Sequence, residues 1–241
     1  MLRGLLGEPK RVDKGELAEV FRAIDAFIGQ TGNFLQRHRS PNDALKERRL
    51  LLRARGLYTA LDELEQSKYC CDRYRDKIFH RFMDELGEEE YDDYRRYVYF
   101  YKNTFIRIFS LLDKLGYFLN EYYGLRTEKV KPRFSYFTVL RQMRQRGTAP
   151  DLTRILAEVK EKYQEPLNKL RILRNMEIHW INAELQDDLM ELNPAFSVRE
   201  PIENLREDKH NLDQGFEMVL LTMRAVFGKI NRKGLPGGRN Q

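Results

Sequence analysis

Cysteine is almost absent. The 241 residues hold two, Cys70 and Cys71, side by side. Adjacent cysteines make a poor structural disulfide, so the pair fits a reducing compartment. No apolar run approaches the ~20 residues of a membrane span, and no membrane association is expected. The opening MLRGLLGEPKR has too short an apolar stretch for a signal peptide, and the expected location is the cytoplasm. Strand-like alternation with hairpin signals is missing, which argues against a β or α/β fold.

Several chemical signatures are missing too. There is no G-x-x-x-x-G-K-[ST] loop for P-loop nucleotide hydrolysis, and GLPGGR near the end lacks the Lys-Ser/Thr pair. No H-E-x-x-H, C-x-x-C or G-x-S-x-G occurs, and the four histidines (His38, His80, His179, His210) are scattered. Glu184, Asp187, Asp188 and Glu191 read as a solvated helix end rather than a cation site. No metal and no other cofactor is expected.

What the chain does have is charge and helical period. Charged residues make up 33% and hydrophobic residues 41%, a mix suited to a globular chain. The net charge of +6 is concentrated late: Lys229, Arg232, Lys233 and Arg239 stand near the end with no acid among them. Arginine outnumbers lysine by 28 to 15. Arginine is the better residue for two-pronged phosphate contacts, which keeps nucleic acid open as a partner.

Leu17, Val20, Phe21, Ile24, Phe27 and Ile28 predict a helix over 15–36. Ser40, Pro41 and Asp43 signal the start of a long helix reaching about Leu86, with Gly87 as its terminator. Glu88, Glu89 and Glu90 suit the positive end of the next helix. Its seam runs Tyr94, Tyr97, Tyr101, Phe105, Ile108, Leu112, Leu115, Leu119 and Tyr122, a mean step of 3.5 residues. A base-stacking reading of this aromatic stripe is weaker than a core reading. Shorter helices are expected over 135–146, 151–163 and from Pro166 to about Ala183, and a final one over 202–229. The expectation is an all-α bundle of long antiparallel helices in a single domain over 1–241, with its core in 15–230 and a basic tail over 231–241.

One constellation carries chemistry: LRNMEIHW, residues 173–180. On a helix Arg171, Asn175, His179 and Asn182 form one polar stripe, with Arg174 beside it. Leu170, Leu173, Met176 and Trp180 form the apolar face. The chemistry that suits the set is RNA cleavage without metal. A base takes the 2′-hydroxyl proton, that oxygen attacks the adjacent phosphate, and an acid protonates the leaving 5′-oxygen. Imidazole can serve in either transfer, and a guanidinium can hold the oxygens on which charge builds. One histidine and one arginine make half a site, so a homodimer is implied. Arg-x-x-x-x-His spacing alone has little weight, because chance gives about one match in such a chain. Arg75 and His80 in RDKIFH make a second one, in which His80 reads as a partly exposed helix histidine.

With Asn175 directly after Arg174 and His179 following, the motif in an all-helical chain resembles the HEPN superfamily (higher eukaryotes and prokaryotes nucleotide-binding), in its bacterial stand-alone form. The resemblance implies a helical bundle that dimerises with both motifs at the interface. It also implies a metal-independent endoribonuclease in a toxin–antitoxin, phage-defence or RNA-processing role, with an antitoxin protein as a possible partner. HEPN toxins paired with a nucleotidyltransferase antitoxin often carry Tyr two residues after the His, where this chain has Ile181. Local charge nominates Arg126, Lys129, Lys131, Arg133, Arg171 and the 229–239 stretch as contacts to single-stranded RNA, with Asn182 from the polar stripe. The competing reading is a non-catalytic HEPN-like helical module that binds a protein or nucleotide.

Overall fold

The computed structural model describes residues 2–37, 44–179, 201–202 and 204–233. Among these it forms eight α-helices and no strand: α1 (Leu2–Leu5), α2 (Gly15–Arg37), α3 (Leu45–Arg75), α4 (Glu88–Tyr123), α5 (Tyr136–Gln145), α6 (Pro150–Lys162), α7 (Gln164–His179) and α8 (Leu205–Lys233). The protein is all-α, as expected. All nine residues of the seam from Tyr94 to Tyr122 are buried, so the aromatic stripe on α4 is core.

The chain divides into two compact units. The first comprises Met1–Pro9, Glu63–Phe109 and Tyr163–Phe216; the second comprises Lys10–Asp62, Ser110–Lys162 and Glu217–Gln241.

In the first unit, Leu64, Cys70 and Cys71 of α3 are buried, as are Phe105 and Ile108 of α4, Leu167 and Leu170 of α7, and Leu212 of α8. The Tyr97 and Tyr101 hydroxyls donate to Asp208 Oδ2 and Oδ1 at 3.1 and 2.9 Å. Lys68 bridges Asp72 at 2.7 Å and Asp213 at 2.5 Å, which ties α3 to α8. Gly215 lets α8 approach its neighbours. A Cβ there would stand 2.8 Å from Leu170 Cδ1 and 2.9 Å from Ile108 Cδ1.

In the second unit Phe27, Phe118 and Phe227 form an aromatic cluster, with ring centroids 5.3 to 5.8 Å apart. The amide of Tyr136, at the start of α5, donates to Asp113 Oδ1 of α4 at 3.0 Å. Gly124 and Gly147, both at positive φ, end α4 and α5.

The long helix expected from Pro41 to Leu86 ends at Arg75. Ile78, Phe79 and Phe82 prolong the apolar period in sequence, but other partners take the backbone. The amides of Phe79 and His80 donate to Glu90 Oε1 at 2.6 and 2.9 Å. The Ile202 amide donates to the Arg81 carbonyl at 2.9 Å, beside an antiparallel bridge between Phe82 and Pro201. His80 is therefore a loop histidine, not a helical one. Helix α7 begins at Gln164, two residues before Pro166, because the Tyr163 carbonyl already accepts from the Leu167 amide at 3.2 Å. Pro166 sits in the first turn, where no intrahelical donor is missed. The start signal at Ser40, Pro41 and Asp43, the stretch from Trp180 to Ala183 including Asn182, and the tail beyond Lys233 lie outside the described residues.

Candidate functional site

Helix α7 carries Arg171, Arg174 and Asn175, and His179 is its last residue. It is anchored from within the first unit. Leu167 and Leu170 are buried, while Leu173 and Met176 are half-buried. Lys102 of α4 pairs with Glu177 at 3.1 Å, and Lys169 pairs with Glu207 of α8 at 2.8 Å. Gly215 leaves room for Leu170. The motif therefore stands on a helix held from two sides.

Arg174 is half-buried and its guanidinium is fixed on two sides. Nη2 and Nε donate to Asn175 Oδ1 at 2.8 and 3.3 Å. The guanidinium carbon lies 5.1 Å from the centroid of the buried Phe109 ring. A guanidinium over an aromatic face is attracted by the ring quadrupole and loses freedom. Nη1 has no hydrogen bond to a described residue. Asn175 thus has a role its sequence position alone did not show: it orients the arginine. Phe109 escaped the sequence reading because it stands one residue past the seam position Ile108. Positions 171, 175 and 179 fall on one face of α7 by their spacing.

The nominated contacts Arg126, Lys129, Lys131 and Arg133 lie in the second unit. Arg126 has a left-handed backbone, φ 52°, and opens a 3-10 turn over Thr127–Lys129. Arg126, Lys129, Lys131 and Arg133 are all exposed, and none makes a salt bridge to a described residue. Arg126 lines a groove of about 490 Å³ with Lys46, Arg49, Arg53, Tyr117 and Glu121 among the other walls. Both Arg49 and Arg53 pair with Glu121, so part of that groove's positive charge is already answered.

The alternative nucleophiles are unsuited. Burial pushes the Cys70 and Cys71 thiols up, Cys71 far above the usual thiol range, so neither yields a thiolate near neutrality. Among the described residues no cluster of three His, Cys, Asp or Glu side chains could hold a metal ion. No helix among them is long and apolar enough to cross a membrane.

The Cthe2314-like HEPN family model matches residues 54–231, and the chain belongs to that family. No curated protein and no solved structure matches it.

Proposed function

We propose that the protein is a metal-independent endoribonuclease that cuts single-stranded RNA in a site completed by two copies of the chain. The observation that carries this reading is the held guanidinium of Arg174, five positions before His179 on the anchored helix α7. A guanidinium fixed before substrate arrives can meet the charge that grows on the phosphorus oxygens without reorganising. His179, five positions after Arg174, is our candidate for proton transfer, and a second copy supplies the partner that the opposite transfer needs. The products would be a 2′,3′-cyclic phosphate and a free 5′-hydroxyl. Asn175 is a positioning residue for Arg174 here.

The test is cleavage of a labelled RNA in EDTA by wild type, His179→Ala and Arg174→Ala, with the ends analysed for cyclic phosphate. Cutting by the wild type alone, with cyclic ends, supports the reading. Cutting that survives both substitutions, or that stops in EDTA, overturns it.

A second reading has its own observation. Ile172 and Ile178 on α7 are 58% and 50% exposed, beside the motif. They would suit a protein-binding face of a non-catalytic module, and on that reading the Arg174 and His179 substitutions weaken association rather than cleavage.

A further inference from the structure

The first unit holds a cleft of about 690 Å³, formed between the loop after α3 and the start of α8. Backbone pairing builds its floor, through the Phe82–Pro201 bridge and the Ile202-to-Arg81 hydrogen bond. Among the described residues, four cationic side chains line it (Arg75, Arg81, Arg206 and Lys209) against one carboxylate, Asp76. Two of the four are already committed. Arg75 pairs with Asp76 and Asp72, and Lys209 pairs with Asp213 at 2.5 Å. Arg81 and Arg206 are exposed and pair with no described residue.

Phe79 stands at the same cleft, 79% exposed. Its backbone is pinned by the 2.6 Å hydrogen bond to Glu90, so the ring is presented from a fixed point. A single exposed apolar side chain needs no explanation. An aromatic ring that shares a cleft with two guanidiniums paired to no described residue has a chemical complement, a base for the ring and a phosphate for the fork.

We infer that this cleft binds a nucleotide of single-stranded RNA, its base stacked on Phe79 and its phosphate on Arg81 and Arg206. A duplex hides its base faces, so the strand must be single. The inference deepens the ribonuclease reading and rests on it for the choice of RNA. The same frame holds both places: Glu207, next to Arg206, is tied to Lys169 of α7. Arg174 lies five residues further along that helix, about 7.5 Å of rise.

The test measures anisotropy of a short labelled oligoribonucleotide with full-length His179→Ala protein, which separates binding from cutting. In that background Phe79→Ala and Arg81→Ala/Arg206→Ala each weaken affinity about ten-fold, and Phe79→Tyr restores it. The double arginine variant also flattens the salt dependence of log K by about 0.7 per lost contact. The three side chains are exposed, and unchanged melting curves confirm that the variants fold. Unchanged affinity in all of them overturns the inference, as does failure of the parent protein to bind RNA. Loss with the arginines but not with Phe79→Ala leaves charge attraction alone and overturns the stacked geometry. Tighter binding of free AMP than of the strand overturns the RNA assignment in favour of a mononucleotide site. Wild-type cleavage with unaffected cleft variants removes the cleft and keeps the ribonuclease. Affinity lost in the cleft variants, with no wild-type cleavage, removes the ribonuclease and keeps the cleft.

Discussion

Arg174 rests its guanidinium 5.1 Å above the ring of Phe109, a side chain only 5% exposed. Phe109 cannot touch substrate from there, but it limits where the guanidinium can go. Replacing the ring should therefore slow the chemical step and spare binding. Phe109→Leu is expected to lower kcat about three- to ten-fold, the scale of a cation–π contact, with KM little changed. Arg174→Ala should cost about 10²–10³-fold, as for loss of one transition-state donor. Single-turnover cleavage at varied RNA concentration reads both. A Phe109→Leu effect carried by KM alone would show the ring to be packing and no more.

His80 and Glu90 should give stability a pH-dependent component. The ring Nδ1 lies 2.6 Å from Glu90 Oε2, and this hydrogen bond, with the Glu90 charge, raises the His80 pKa above its ordinary 6.5. Burial pushes the Glu90 carboxyl up, but the His80 and Phe79 amides and the His80 ring outweigh it and leave it below its ordinary 4.5. A raised histidine favours the folded state fully below the unfolded value and loses that benefit as pH rises through the folded value. A lowered carboxylate favours it above the unfolded value and loses the benefit as pH falls through the folded one. The pair is fully formed between roughly pH 4.5 and 6.5. The Tm gap between wild type and His80→Gln should be widest there and shrink by about pH 9. A gap that is flat across this range would mean that the ion pair contributes nothing.

The helices were readable because apolar period and cap residues are local signals. The seam on α4 and the starts at Glu88 and near Ser135 needed nothing from the rest of the chain. The end of α3 did need it. Ile78, Phe79 and Phe82 continue a helical period, and only the partners Glu90, Pro201 and Ile202, distant in sequence, draw that stretch out of the helix. The site divides in the same way. Arg174, Asn175 and His179 were candidates on their spacing along one helix, which α7 carries. The approach of Phe109 to Arg174 and the meeting of Arg81 and Arg206 at one cleft had no such local pattern, because they come from tertiary contact.

Gly116 and Gly228 should respond oppositely to the same substitution. A Cβ at Gly116 would lie 2.9 Å from Tyr136 Cα and 3.1 Å from its amide nitrogen, and backbone cannot rotate away as a side chain can. Gly116→Ala is expected to destabilise by about 1–3 kcal/mol despite the better helix propensity. Gly228, inside α8, has nothing within 4 Å of its would-be Cβ. Gly228→Ala should stabilise by up to about 1 kcal/mol. Urea unfolding of the three proteins gives both signs in one experiment, and a stabilising Gly116→Ala would contradict the close approach of α5 to α4.

Cleavage should be indifferent to thiol chemistry. Cys70 and Cys71 are buried, and burial raises both thiols, so the thiolate that attacks alkylating reagents is scarce in the folded protein. Treatment of the native protein with N-ethylmaleimide should add no mass and leave cleavage unchanged. The same reagent in denaturant should add two equivalents, one for each cysteine. The contrast matters because a cysteine nucleophile is the simplest rival to His179 in a chain with no metal cluster among its described residues. Loss of cleavage in step with modification of native protein would give that rival its first support. Full activity with unmodified thiols would leave the proton transfers to imidazole, and Cys70→Ser/Cys71→Ser, if folded, should cut as the wild type does.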